Sequence, residues 1–218
     1  MNTREESITW NWSGAQVEAE SFRRIEAEIG DHGLSPEHWR VGRRMIHTCT
    51  DFRLVENLSF HGSPVPAALT ALRDGASIYC DSNMIRSGIS VPKLKKFNSD
   101  YERESIHCYV SDPEVASLAA RNNTTRALAA IEKGRPIIDG GIVLIGNAPL
   151  ALAGICRMIE AGELMPRLVI GMPVGFVNVI ESKRWLARTD VPHIVLHGRL
   201  GGSPLAVSAL HGIMESGL

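Results

Sequence analysis

Between Ile142 and the carboxyl end, one local pattern is written three times. Ile142-Val143-Leu144-Ile145 runs into Gly146-Asn147-Ala148-Pro149 and a helical stretch over 150–160. Leu168-Val169-Ile170 runs into a loop bracketed by Gly171 and Gly175, then a helix carrying Glu181 and Lys183. His193-Ile194-Val195-Leu196 runs into His197-Gly198-Arg199-Leu200-Gly201-Gly202 and a helix from Ser203 onward, with Ser203 before Pro204 reading as its cap. Continuous apolar runs without polar alternation are what strands buried on both faces require. Glycine after a strand lets backbone approach a ligand with no Cβ in the way. The helix that follows aims unpaired N–H groups at the same place, a seat for negative charge. Three successive strand–glycine loop–helix units predict a parallel sheet whose binding face lies at the strand carboxyl ends.

The rest of the chain fits around that sheet. Ser77 to Cys80 and Ser105 to Val110 read as two further strands, making five. Helices are predicted over 14–29, from Ser35-Pro36 onward, over 64–73, briefly after Asp81-Ser82, over 114–121 and over 126–133. In the first, Phe22, Ile25 and Ile29 form one apolar edge; in the second, Trp39, Ile46 and Cys49 share a face, with His47 one residue off it. Lys93, Lys95 and Lys96 read as a solvated charge cluster. Residues 1–13 form a polar arm containing Trp10 and Trp12, which either docks on the body or covers a partner. Residues 14–218 carry no boundary, repeat or low-complexity segment and read as a single domain.

Composition narrows the functional classes. A net charge of −1 supplies no basic field to recruit nucleic acid, so any anionic ligand must be held by local arginines and helix ends. No apolar run approaches membrane-spanning length and no signal segment is visible, which points to a cytoplasmic protein. Cys49, Cys80, Cys108 and Cys156 form no C-x-x-C pair and read as buried hydrophobes. There is no phosphate-loop, dinucleotide, serine-hydrolase elbow or H-E-x-x-H signature, and no convincing metal-ligand cluster.

Among the polar residues, His47 is the best candidate for proton transfer, because imidazole can give or take a proton near neutral pH. Asp51, four residues on, could orient it, though spacing alone leaves a capping or packing role open. Arg126 at a helix start is an odd place for a cation on dipole grounds, and a ligand carboxylate there would reconcile the two. Arg199, inside a glycine loop, is similar. Glu181 and Lys183 read by default as an exposed helix pair.

Taken in order, Ser21-Phe22, the RMIHTCTDF segment around His47, CDSNMIRSGI from Cys80, Thr125-Arg126, IGNAP from Ile145, IGMPVGFVNVIESK from Ile170 and GRLGGS from Gly198 resemble the precorrin-8X (cobalt-precorrin-8) methylmutase family. The resemblance covers roughly 18–210. It implies a three-layer α/β/α, flavodoxin-like domain and a homodimer with its active site near the subunit interface. The implied reaction, in cobalamin biosynthesis, shifts a methyl group from carbon 11 to carbon 12 of a corrin-type ring. His47 matches the family's catalytic acid. Ser21, Arg126, Asn147, Gly171, Pro173, Gly175, Lys183, Arg199, Gly201, Gly202 and Ser203 are the implied substrate-binding positions. No separate cofactor is expected; cobalt would enter only inside the substrate.

Two positions depart from the family pattern. Asn123 stands for a glycine before the Thr-Arg pair, and Leu150 for a threonine after Pro149. Met45 to Phe52, Asp81 to Met84 and Val177 to Val179 favour the cobalt-bound substrate, cobyrinic acid being the product. The alternatives are the same mutase acting on metal-free precorrin-8X, giving hydrogenobyrinic acid, a non-catalytic corrinoid-binding protein, or some other flavodoxin-like binding protein.

Overall fold

The computed structural model describes residues 8–218. Two helices come first, α1 (Gly14–Ile29) and α2 (Pro36–Cys49), each started by a serine that accepts an amide three residues on: Ser13 from Gln16 and Ser35 from His38. A 3₁₀ turn (Phe52–Asn57) leads into β1 (Leu58–His61) and α3 (Pro64–Arg73). Then follow β2 (Ile78–Cys80), the short helices α4 (Asn83–Gly88) and α5 (Val91–Leu94), and β3 (Ile106–His107). The helices α6 (Pro113–Arg121) and α7 (Arg126–Ile138) bring the chain to β4 (Ile142–Ile145). The three repeated units come last: β4 with α8 (Pro149–Glu160), β5 (Leu168–Gly171) with α9 (Val179–Leu186), and β6 (His193–Leu196) with α10 (Ser203–Ser216).

One sheet gathers six strands in the order β1-β6-β5-β4-β2-β3. Five are parallel, and their order is that of a flavodoxin-like sheet with the chain reversing direction between β2 and β4. The sixth, β1, pairs antiparallel with β6, Leu58 opposite Leu196 and His61 opposite His193. The five-strand expectation is therefore corrected to six. β1 escapes a periodicity reading because it is a four-residue edge strand, LSFH, that alternates little and follows no glycine loop.

Strand side chains alternate between two apolar layers. Ile78, Cys80, Ile142, Leu144, Leu168, Ile170, Ile194 and Leu196 face α2, α3 and α10. Tyr79, Val143, Ile145, Val169 and Val195 face α7 and α8. β4, β5 and β6 are buried at every residue, as their unbroken apolar runs require.

Smaller differences have local causes. β3 is two residues long rather than six, because only Ile106 and His107 find partners on β2. Helix α7 continues past Lys133 to Ile138, with Pro136 lying in its final turn. Gly202, not Ser203, is the residue preceding α10, and Ser203 is already helical. Asn123 adopts φ 47°, so it serves the left-handed turn that a glycine would.

The packing of α2 on α10 fixes where His47 lies. A Cβ on Gly212 would stand 2.7 Å from Val41 Cα, so the two helices touch backbone to backbone. Arg44 pairs with Glu215 near the end of α10, while Thr48 shares a cleft with Ser203 and Pro204 at its start. The helices thus run antiparallel, and the carboxyl end of α2 reaches the edge where the strand-end loops gather.

Candidate active site

His47 occupies the last turn of α2, half-buried, with its Nδ1 2.7 Å from Ser21 Oγ on α1. The edge of its ring meets Phe22 at 5.3 Å between centroids. The guanidinium of Arg43 lies over the same Phe22 ring, 4.2 Å from its centroid. Arg44, almost fully buried, bonds Glu18 of α1 at 2.5 Å and Glu215 of α10. One arginine therefore locks the helix bearing Ser21 to the helix bearing His47. Asp51, expected to orient the imidazole, instead accepts from the backbone and guanidinium of Arg53; Ser21 holds the ring. With Nδ1 engaged, Nε2 is the nitrogen left to exchange a proton.

His47 and Ser21 open into a cleft of about 580 Å³ lined also by Thr9, Trp12, Arg24 and Phe52. Trp12 of the arm borders the cleft of its own chain while staying partly exposed, and Trp10 is more exposed still. Glu20 contributes a carboxylate at the rim, held well below the usual range by bonds from Arg23 and Arg24.

At the sheet's reversal point, between β2 and β4, doubly wound folds commonly seat an anionic ligand on the next helix. Here the loop that leads from β4 to that helix holds a side chain of the protein itself. Asp81, buried at the end of β2, accepts from the backbone N–H of Gly146 at 3.1 Å, Asn147 at 2.8 Å and Ala148 at 2.6 Å. Burial pushes its carboxyl up and the three amide donors oppose that rise. Asp81 thus occupies the amides of the loop that precedes α8, while the start of α8 itself carries no side-chain cap bond. The sequence signal for this role is a carboxylate directly after a strand at the reversal point.

The other two loops are tied to each other. Gly202 N–H donates to Met172 O at 2.9 Å and Gly175 N–H points at Arg199 O at 3.4 Å. A Cβ on Gly201 would come 2.2 Å from Met172 O, so glycine there is dictated by one loop lying on another. Gly171 is likewise a packing glycine, with Leu186 Cδ2 2.4 Å from the site of its missing Cβ. Ser203 Oγ meets Ser82 Oγ at 2.9 Å, joining α10 to the end of β2. The starts of α9 and α10 carry no side-chain cap bond.

Lys183 is not an exposed partner of Glu181. It is fully buried, its Nζ donating to Gly198 O at 3.0 Å and Leu200 O at 2.7 Å. Burial alone pushes its ammonium down to about 8. Between those two carbonyls Arg199 projects outward, exposed, its guanidinium carbon 5.5 Å from the centroid of the Phe176 ring. Val174, Phe176, Val177 and Leu200 form an exposed apolar lip around it.

The residues singled out by sequence thus fall into three places at one edge of the sheet. His47 and Ser21 form one cleft. Gly171, Pro173, Gly175, Lys183, Arg199, Gly201, Gly202 and Ser203 form the interlocked loops, with Asn147 exposed on the neighbouring loop. Arg126, exposed at the first residue of α7, stands apart on the opposite helical layer. All four cysteines are free, with Cys80 and Cys156 buried and the other two half-buried. Among the described residues no group of three or more His, Cys, Asp or Glu is placed to hold a metal ion. No helix there is long and apolar enough to cross a membrane.

Known proteins resemble the chain over nearly its whole length. The family model described as Precorrin-8X methylmutase matches residues 16–216. A cobalt-precorrin-8 methylmutase of Priestia megaterium is 40% identical, the match covering 91% of this chain and 86% of that one. A precorrin-8X methylmutase of Pseudomonas aeruginosa is 34% identical, covering 92% and 94%. The solved precorrin-8X methylmutase of Thermus thermophilus superposes with a TM-score of 0.83 at 43% identity, covering 93% of this chain and 95% of its own. The chain belongs to the precorrin-8X methylmutase family, isomerases of cobalamin biosynthesis.

Proposed function

We propose that the protein moves the carbon-11 methyl group of cobalt-precorrin-8 to carbon 12, with His47 as the general acid. The observation that carries this reading is the Ser21–His47 pair at the mouth of a cleft on the strand-end edge. A concerted methyl migration needs no protein nucleophile. It needs the ring held in one geometry and a proton placed where charge develops. When His47 is protonated, its Nδ1–H donates to Ser21 Oγ and its Nε2–H is aimed at the substrate. Returning the proton to Nε2 closes the cycle. The apolar lip and Phe52 suit the faces of a macrocycle. Arg199, Arg126 and the uncapped starts of α9 and α10 suit its carboxylate fringe.

Arg126 and His47 lie on opposite helical layers of one chain, which favours a homodimer in which a second copy completes the ring's surroundings. The protein works in the cytoplasm on a corrinoid released by a preceding enzyme, and any cobalt arrives inside that substrate. The relatives carry both substrate names, so steady-state turnover of cobalt-precorrin-8 and of metal-free precorrin-8X tests the assignment. The cobalt form is expected to be converted with the higher kcat/KM. A protein that takes up the ring tightly and never rearranges it would overturn the enzymatic reading in favour of a carrier.

Ser21 has its own test. Ser21→Ala removes the bond at Nδ1 and leaves the imidazole in place, so turnover should fall about tenfold, the value of roughly one neutral hydrogen bond. Binding of the product, followed by its visible absorbance, should be unchanged. Unaltered turnover would separate Ser21 from proton delivery.

A further inference from the structure

Lys183 has a role that surface charge patterning does not explain. It is fully buried on α9, and no carboxylate accompanies it there: its partners are the carbonyls of Gly198 and Leu200. Burying an ammonium is costly unless its protons are used, and burial alone depresses this one to about 8. At neutral pH it remains mainly protonated, so both bonds are charge-assisted and stronger than amide bonds.

The carbonyls it grips flank one residue, Arg199. The carbonyl of Arg199 itself faces the N–H of Gly175, and two residues beyond Leu200 the N–H of Gly202 is bonded to Met172 O. The backbone from 198 to 202 is thus pinned along its inner side to α9 and to the loop after β5. With the main chain held so, the charged side chain that leaves the loop toward solvent is Arg199, resting against Phe176 beside the exposed Leu200. A loop of this composition, with three glycines in five residues, would otherwise sample many conformations.

We infer that Lys183 is a positioning residue that never meets the substrate: its buried ammonium clamps the Gly198–Gly202 loop so that the Arg199 guanidinium is presented in one place to a carboxylate of the ligand. This rests on the mutase reading for the identity of the ligand, but the clamp itself concerns the free protein.

The test is a double-mutant cycle on the full chain. Lys183→Met keeps the length and apolar stem and removes the donors. Its KM for the corrinoid should rise about tenfold while kcat stays within twofold, and amide exchange across 198–202 should quicken in the free protein. In an Arg199→Ala background, which raises KM by itself, adding Lys183→Met should raise KM no further. If the Met variant does not fold, Lys183→Gln, with two N–H donors on a shorter uncharged stem, is measured instead and should show the same non-additivity. Unchanged KM in a folded variant, or effects that simply multiply, would overturn the proposal. If wild-type protein converts neither corrinoid, the mutase reading fails, and quickened exchange across 198–202 would still stand for the clamp alone.

Discussion

Replacing His47 by asparagine or alanine is expected to lower turnover by about 10²–10⁴-fold, the usual contribution of a general acid and equivalent to roughly 3–5 kcal/mol in the barrier. The two variants separate proton delivery from packing. Asparagine keeps a polar group near the position of Nδ1, so the bond to Ser21 and the contact with Phe22 can persist while Nε2 is lost. Alanine removes all three. Because His47 lies at the mouth of its cleft and not beneath the sheet, neither change opens a core cavity, and product binding should survive in both. Turnover near the wild-type rate in the asparagine variant would end His47's role as the acid. Similar losses in both variants, with intact binding, would place the effect on the Nε2 proton.

The largest effect on stability is expected at Asp81. Its carboxylate is buried and is the only acceptor shown for the amides of Gly146, Asn147 and Ala148, of which the bonds from Gly146 and Ala148 are buried as well. Asp81→Ala leaves three donors facing a hole. At about 1–3 kcal/mol for each buried group left unpaired, and allowing for water entering the gap, the loss should reach roughly 3–5 kcal/mol. In a chain of this size that corresponds to a fall in melting temperature on the order of 10 °C or more. Asp81→Asn retains the shape and one good acceptor, but turns an NH₂ group toward an N–H, so it should lose roughly half as much. The two variants should also rank in that order for exchange of the three amides. A melting temperature within a degree or two of wild type for the alanine variant would mean that these amides find other partners.

The His47 and Asp81 sites differ in how far the sequence announced them. His47 stood out because imidazole chemistry and its segment marked it, yet the group that orients it was misjudged. Asp51 lies one helical turn further on, but the helix ends at Cys49 and Asp51 turns to Arg53. The residue that holds the ring, Ser21, lies 26 positions earlier on another helix. Lys183 shows the same limit. A lysine two residues after a glutamate on a helix reads as a surface pair, and only the folding back of the Gly198–Gly202 loop turns it inward. The glycines were legible as special, and two of them have a packing reason besides: Gly171 and Gly201 admit a neighbouring side chain or backbone.

By itself the sequence determined the layered α/β architecture and the three strand–loop–helix units, whose loops gather at one edge of the sheet. Those follow from local rules: unbroken apolar runs must be buried on both faces, prolines and serines start helices, and glycines end strands. What the tertiary structure alone decided is which polar groups remain free once the loops have met. Hydrogen-bonding capacity at a buried edge is shared among segments distant in the chain, so Asp81 could claim the amides of the loop before α8, Lys183 the carbonyls around Arg199, and Ser21 the inner nitrogen of His47.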